Sequence, residues 1–180
     1  MDVVDLEFRG IYDAFYARVF RYLSRLIGDQ DAEDLTQEVF LKIDQGLKSF
    51  RGDAQLSTWI YRIATNTAID RLRTQAFRQE GLAEELDEEQ SGTVWIADQP
   101  ASPDQEVMRQ EMYDCFGNFV KELPIPYRTV VILSELEEMP NQQIADILGL
   151  SLDVVKIRLH RGRAILFEQL KSHCKAEDWL

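Results

Sequence analysis

The chain has 180 residues, 45% of them apolar, which suffices for a buried core in one large domain or two small ones, and its net charge is −12. No apolar run approaches the roughly 20 residues that cross a bilayer. The start carries Asp2, Asp5, Glu7 and Asp13 in place of a basic stretch before an apolar block, so no membrane insertion and no signal peptide are expected and the protein reads as cytoplasmic.

Residues 6–27 read as an amphipathic helix: Phe8, Ile11, Tyr12, Phe15, Val19, Tyr22, Leu23 and Leu26 recur at steps of three and four. The aromatic stripe is assigned to the core and not to base stacking. Gly28 stops the helix. A second helix is expected over 31–47, capped by Asp29 or Asp31, with Glu33 and Asp34 in its first turn. Leu35, Val39, Ile43 and Leu47 face inward. Asp34, Gln37, Glu38 and Asp44 remain outside, either as a solvated acidic face or as a docking face for a protein partner.

Residues 50–55 form a loop turning at Gly52-Asp53. A long helix is expected from Ser57 or Thr58 to about residue 79. Trp59, Ile60, Ile63, Ala64, Ala68 and Leu72 are its inner positions; Thr58, Tyr61, Arg62, Thr65, Asn66, Ile69, Asp70 and Arg73 lie around the rest. Five arginines stand against two aspartates between 50 and 79. Arginines with aromatic rings and an amide on one helix suit single-stranded nucleic acid, because rings stack bases, amides read base edges and guanidiniums meet phosphates. The alternative places Trp59 and Tyr61 in the core.

Residues 80–104 read as a flexible acidic linker, broken by Gly81, Ser91-Gly92, Pro100 and Pro103. Ten acidic residues face only Arg109 between 80 and 111. Within it, Val94-Trp95-Ile96 is an apolar island, either a docking peptide or a segment tucked against a domain. Helix resumes over 105–122, with Cys115 on its apolar face, and ends at Pro124 and Pro126. A short helix over 127–137 carries Val130, Val131, Leu133 and Leu136.

The stretch 141–163, NQQIADILGLSLDVVKIRLHRGR, reads as two helices around a tight turn. Ile144, Ile147 and Leu148 share a face. Gly149 accepts the left-handed conformation past a helix end, Leu150 fills the corner, and Ser151 caps the next helix. Val155 and Leu159 point inward and leave Lys156, Arg158, His160, Arg161 and Arg163 outside. This is a helix-turn-helix pattern whose second helix suits a DNA groove. The plainer alternative is a helical hairpin with a solvated basic face. The last helix runs to about residue 172.

No segment alternates as a strand does. The expected fold is all-α: two small helical domains, 1–79 and 105–172, on the 80–104 linker, with a tail at 173–180. Two basic patches flank an acidic middle, so the protein should bind DNA poorly alone and need a partner that supplies affinity. Cys115 and Cys174 lie far apart without a CxxC, and no disulfide is expected. His173-Cys174 offers too few ligands for a metal. With no phosphate-cradling glycine loop and no nucleophile–base constellation, neither an enzyme nor a cofactor is expected.

Three stretches, 32–43 (AEDLTQEVFLKI), 50–73 (FRGDAQLSTWIYRIATNTAIDRLR) and 123–166, in this order and separation, resemble the extracytoplasmic-function, group 4, sigma factors of bacterial RNA polymerase. The resemblance implies a promoter-specificity subunit. Asp34, Gln37 and Glu38 would dock on the clamp helices of the polymerase β′ subunit. Arg51, Asp53, Ser57, Trp59 and Asn66 would lie at the −10 element, where the loop captures a base flipped from the non-template strand, and Arg62, Arg71 and Arg73 would meet nearby phosphates. The C-terminal domain would touch the β flap and read the −35 element of promoter DNA through Ser151, Asp153, Lys156, Ile157, Arg158, His160, Arg161 and Arg163. The linker would thread toward the RNA exit path, and an anti-sigma factor would hold the protein inactive. Asp153-Val154 and Ile157 depart from the family's small Gly-Thr pair and Ser: Asp153 would repel a phosphate unless it caps the helix or accepts from a cytosine, and Ile157 could meet a thymine methyl. A stand-alone helix-turn-helix regulator is the rival reading; it requires tight duplex binding by the protein alone.

Overall fold

The structure is a computed structural model that describes residues 8–78 and 118–173, and every described element is helical. The linker, the Val94-Trp95-Ile96 island, Cys115 and the tail from Cys174 lie outside the described residues.

Helix α1 (Phe8–Ile27) and helix α2 (Asp29–Leu47) are joined by Gly28 alone. Gly28 sits at φ 97°, ψ 159°, a conformation that a Cβ would strain, and its N–H closes α1 onto the Ser24 carbonyl at 3.0 Å. This one-residue joint explains why α2 begins earlier than expected. Gly28 takes the N-cap position, so neither Asp29 nor Asp31 caps the helix; both lie in its first turn, where their charge favours the N-terminus.

Helix α3 (Leu56–Arg78) packs against both. Ile60, Ala64 and Ala68 are buried as the pattern requires, with Trp59, Ile63 and Leu72 half-buried. Thr58, Tyr61 and Thr65, expected outside, are buried too. The reason is that α3 is covered from two sides. The Tyr22 hydroxyl of α1 bonds Thr65 Oγ1 at 2.8 Å on one side, and the C-terminal helices cover Thr58 and Tyr61 on the other.

In the C-terminal half, residues 118–122 are helical. Helix α4 (Ile125–Val131) starts after Pro124, with Pro126 in its first turn, where a missing N–H costs nothing. It widens into a π turn at Ile132–Leu136, replacing the single helix expected over 127–137. The Glu137 N–H bonds the Ile132 carbonyl at 3.0 Å, and the Met139 N–H bonds that of Leu133 at 3.0 Å. Glu138, at φ 53°, turns the chain away.

Helix α5 (Asn141–Leu148) and helix α6 (Leu152–His173) form the helix-turn-helix. Gly149 is left-handed (φ 65°, ψ 33°), and Ser151 Oγ accepts the Val154 N–H at 3.3 Å, as the sequence anticipates. Val155, Leu159 and Leu166 are buried. Buried residues of both halves form one apolar cluster, with α5 lying directly on α3.

Candidate nucleic-acid interface

Helix α6 offers an open outer face. Asp153, Lys156 and Ile157 are exposed, Ile157 to 48%. Ser151 is exposed, but its hydroxyl is engaged as the cap. Asp153 occupies the first turn, where the helix dipole favours its charge. Arg158, His160 and Arg161 are half-buried at the edge of this face instead of fully outside. Arg163 is exposed and paired with Glu135 of the π turn through its Nε at 3.0 Å.

The second set lies on α3 and the loop before it. Arg51 and Asp53 are exposed beside Gly52, whose φ of 75° makes the turn. Asn66 and Arg73 are exposed along α3. Trp59 is walled in: the Phe50 ring lies 4.9 Å away, and a Cβ on Gly46 would come within 3.0 Å of the indole. Arg71 is half-buried and committed to Glu38 at 3.2 Å, with Asp31 at 3.9 Å. Ser57 and Arg62 are engaged by α5: Gln143 Nε2 donates to Ser57 Oγ at 3.2 Å, and Arg62 Nε donates to the Asp146 carbonyl at 3.1 Å.

The third set is the outer face of α2. Asp34 and Gln37 are exposed, and Leu41, one turn further, is 63% exposed. Glu38 bridges Lys42 at 2.9 Å and Arg71. The hydrogen bond from Lys42, aided by Arg71, holds its carboxyl below the usual range despite some burial. Sequence reasoning missed Leu41, although it stands out of register with the inward Leu35, Val39 and Ile43.

Three further residues escaped the sequence because each has a partner distant along the chain. The Glu137 side chain, 7% exposed, lies 3.4 Å from Arg25 and accepts the Tyr61 hydroxyl. Burial, reinforced by Glu137, pushes the Tyr61 hydroxyl well up. Gln143 also donates to Thr58 Oγ1 at 2.8 Å. Arg128 donates to the carbonyls of Leu123 (3.1 Å), Leu26 (2.9 Å) and Lys121. Among the described residues no group of histidines, cysteines and carboxylates could hold a metal, and no helix is long and apolar enough to cross a membrane.

A helix-turn-helix with an exposed cationic outer face, beside a second helix carrying arginines and an exposed amide, defines a helical nucleic-acid reader. Residues 11–78 match the family described as sigma-70 region 2, and residues 113–166 match sigma-70, region 4. The chain is 33% identical over 172 residues to the ECF RNA polymerase sigma factor SigW of Bacillus subtilis, covering 92% of this chain and 89% of that one. It is 31% identical over 173 residues to the ECF RNA polymerase sigma-E factor of Haemophilus influenzae, covering 91% and 90%. Among solved structures it shares its fold with the sigma factor RpoE in complex with the anti-sigma factor NepR from Bartonella quintana (21% identity, TM-score 0.67, 93% of this chain and 98% of that one). CnrH in complex with the cytosolic domain of CnrY is similar (21%, TM-score 0.64, 93% and 89%). The chain belongs to the extracytoplasmic-function family of RNA polymerase sigma factors.

Proposed function

We propose that this sigma factor divides its work between 1–79, which docks on core polymerase and holds the −10 strand, and 105–172, which reads the −35 duplex, with 80–104 as the link. The observation that carries this division is the open Lys156–Ile157 face of α6 on a capped helix-turn-helix, set apart from the Asn66 and Arg73 edge of α3. Lys156 meets a phosphate, while Ile157 contacts a thymine methyl and Arg158, His160 and Arg161 reach the groove edge. Ser151 and Asp153 organise the start of the helix, and Arg163 supports it through Glu135. On α3, Asn66 contacts the displaced strand and Arg73 its phosphates, with Arg51, Asp53 and Ser57 framing the flipped base. Trp59 shapes that pocket through Phe50 and Gly46. Asp34, Gln37, Glu38 and the exposed Leu41 form the polymerase docking face, an apolar contact within a charged rim. The C-terminal half also touches the β flap.

The protein works in the cytoplasm, performs no catalysis and needs no cofactor. An anti-sigma factor restrains it, a reading supported by the fold it shares with a sigma factor solved in complex with the anti-sigma factor NepR.

Transcription by core polymerase from a pooled promoter library tests this function. The protein should stimulate a defined subset, and Asn66→Ala and Lys156→Ala should each abolish most of that stimulation. No stimulation, together with tight duplex binding by the protein alone, would establish the stand-alone regulator instead. Full stimulation by both variants would reduce the protein to a polymerase adaptor.

A further inference from the structure

The two reading faces differ in one respect: α6 presents its outer face to solvent, whereas the N-terminal end of α3 is covered by α5. The Gln143 amide donates to the hydroxyls of Thr58 and Ser57 at 2.8 and 3.2 Å. Arg62 donates to the Asp146 carbonyl, which belongs to the last turn of α5 and has no partner within its own helix. The guanidinium thus serves as a C-terminal cap for a helix of the other half. Just before α5, the Glu137 carboxylate is buried between Arg25 and Tyr61, both from the N-terminal half. A buried carboxylate is tolerated only with such partners, so Glu137 makes the contact selective for this one docking pose. These contacts are polar and can be exchanged for water, while the apolar cluster that the two halves share opposes their separation.

Resting on the division of labour proposed above, we propose that the chain masks itself: α5 of the −35 half covers the −10 end of α3, Glu137 is the latch, and strand capture requires the latch to open. Nucleic acid approaching Ser57 and Arg62 must first displace Gln143 and the Asp146 carbonyl. The Lys156–Ile157 face needs no such displacement, so the masking is one-sided.

The test uses the full chain with Cys115→Ser and Cys174→Ser, spin-labelled at Gln45→Cys on α2 and Ala164→Cys on α6, both exposed positions. Pulsed electron paramagnetic resonance should give one narrow, short distance for this protein and a broad, longer distribution after Glu137→Ala with Gln143→Ala. Glu137→Gln keeps an acceptor for Tyr61 but loses the charge facing Arg25, and should open partially. Randomised single-stranded and duplex oligonucleotides of equal length provide the second readout. The double variant should bind the single strands about tenfold more tightly, as expected when a masked fraction is released, with duplex binding unchanged. That unchanged duplex binding also verifies that the variant is folded. A broad distribution in the unlatched and latched proteins alike would overturn the latch. Opening without a gain in single-strand binding would overturn the masking. Opening with neither DNA bound by any version would uphold the latch and overturn the promoter-reading function.

Discussion

Gly162 of α6 lies so close to α4 that a Cβ placed on it would come to 2.7 Å of Val131 Cγ2 and 3.4 Å of Tyr127 Cβ. The two helices approach as closely as they do because residue 162 has no side chain. Gly162→Ala gains helix propensity but forces α4 and α6 apart, and overpacking of this kind costs roughly 1–3 kcal/mol. The expected result is a lower urea midpoint together with weaker −35 duplex binding. A midpoint equal to or above that of the parent chain would refute the close approach.

The Tyr22–Thr65 bond makes a separable pH prediction. The Thr65 hydroxyl donates to the Tyr61 carbonyl at 2.7 Å, so the Tyr22 hydroxyl donates to Thr65 Oγ1. Burial pushes the Tyr22 hydroxyl far above its ordinary value of 10.0. The unfolded chain therefore releases this proton first. Its contribution to stability is complete below pH 10.0 and falls as pH rises beyond it. Tyr22→Phe should cost about 1 kcal/mol at neutral pH. It should also lose stability less steeply than the parent between about pH 9 and pH 11. Parallel denaturation profiles across that range would count against the buried hydroxyl.

Arg128 joins the two halves differently from the latch. Its guanidinium reaches carbonyls in two directions, at the end of α1 and around 121–123, and burial lowers its pKa. Arg128→Lys replaces a planar fork with a compact ammonium that cannot satisfy all of them. A loss of about 2 kcal/mol is expected, for lysine nearly as much as for alanine. Full rescue by lysine, read by thermal unfolding, would show that charge alone matters there.

On α6, Lys156 stands free in solvent whereas Arg163 is held by Glu135. Lys156→Ala should weaken −35 duplex binding uniformly across sequences and reduce the salt slope by about 1. Arg163→Ala should do less, because pairing with Glu135 already offsets its charge. A larger effect at Arg163 would invert these assignments.

The helix-turn-helix was legible in the sequence because every device that makes it is local: the 3.6-residue periodicity, Gly149, and the Ser151 cap three residues before the N–H it accepts. The all-helical class followed in the same way. Position along α3 was less legible. Tyr61, Thr58 and Thr65 looked peripheral because one apolar stripe was sought on a helix that is covered from two sides. The partners of Glu137 and Gln143, and the Leu26 carbonyl that Arg128 reaches, lie 76 to 112 residues away, so no local pattern could disclose them. The capping aspartates failed for a local reason instead: a single glycine leaves no room for a residue before Asp29 to cap with its side chain.

The π turn at Ile132–Leu136 sets an angular phase. Each residue of an ordinary helix advances the chain by about 100°. The widened turn takes up one extra residue locally; were it to tighten to ordinary helix with no residue removed, everything after it would rotate by that amount. Glu137 would swing off Arg25 and Tyr61, and the whole helix-turn-helix would be indexed to a different azimuth. The widened turn is therefore a gear tooth between the two halves: one residue in its length decides which face of α5 meets α3.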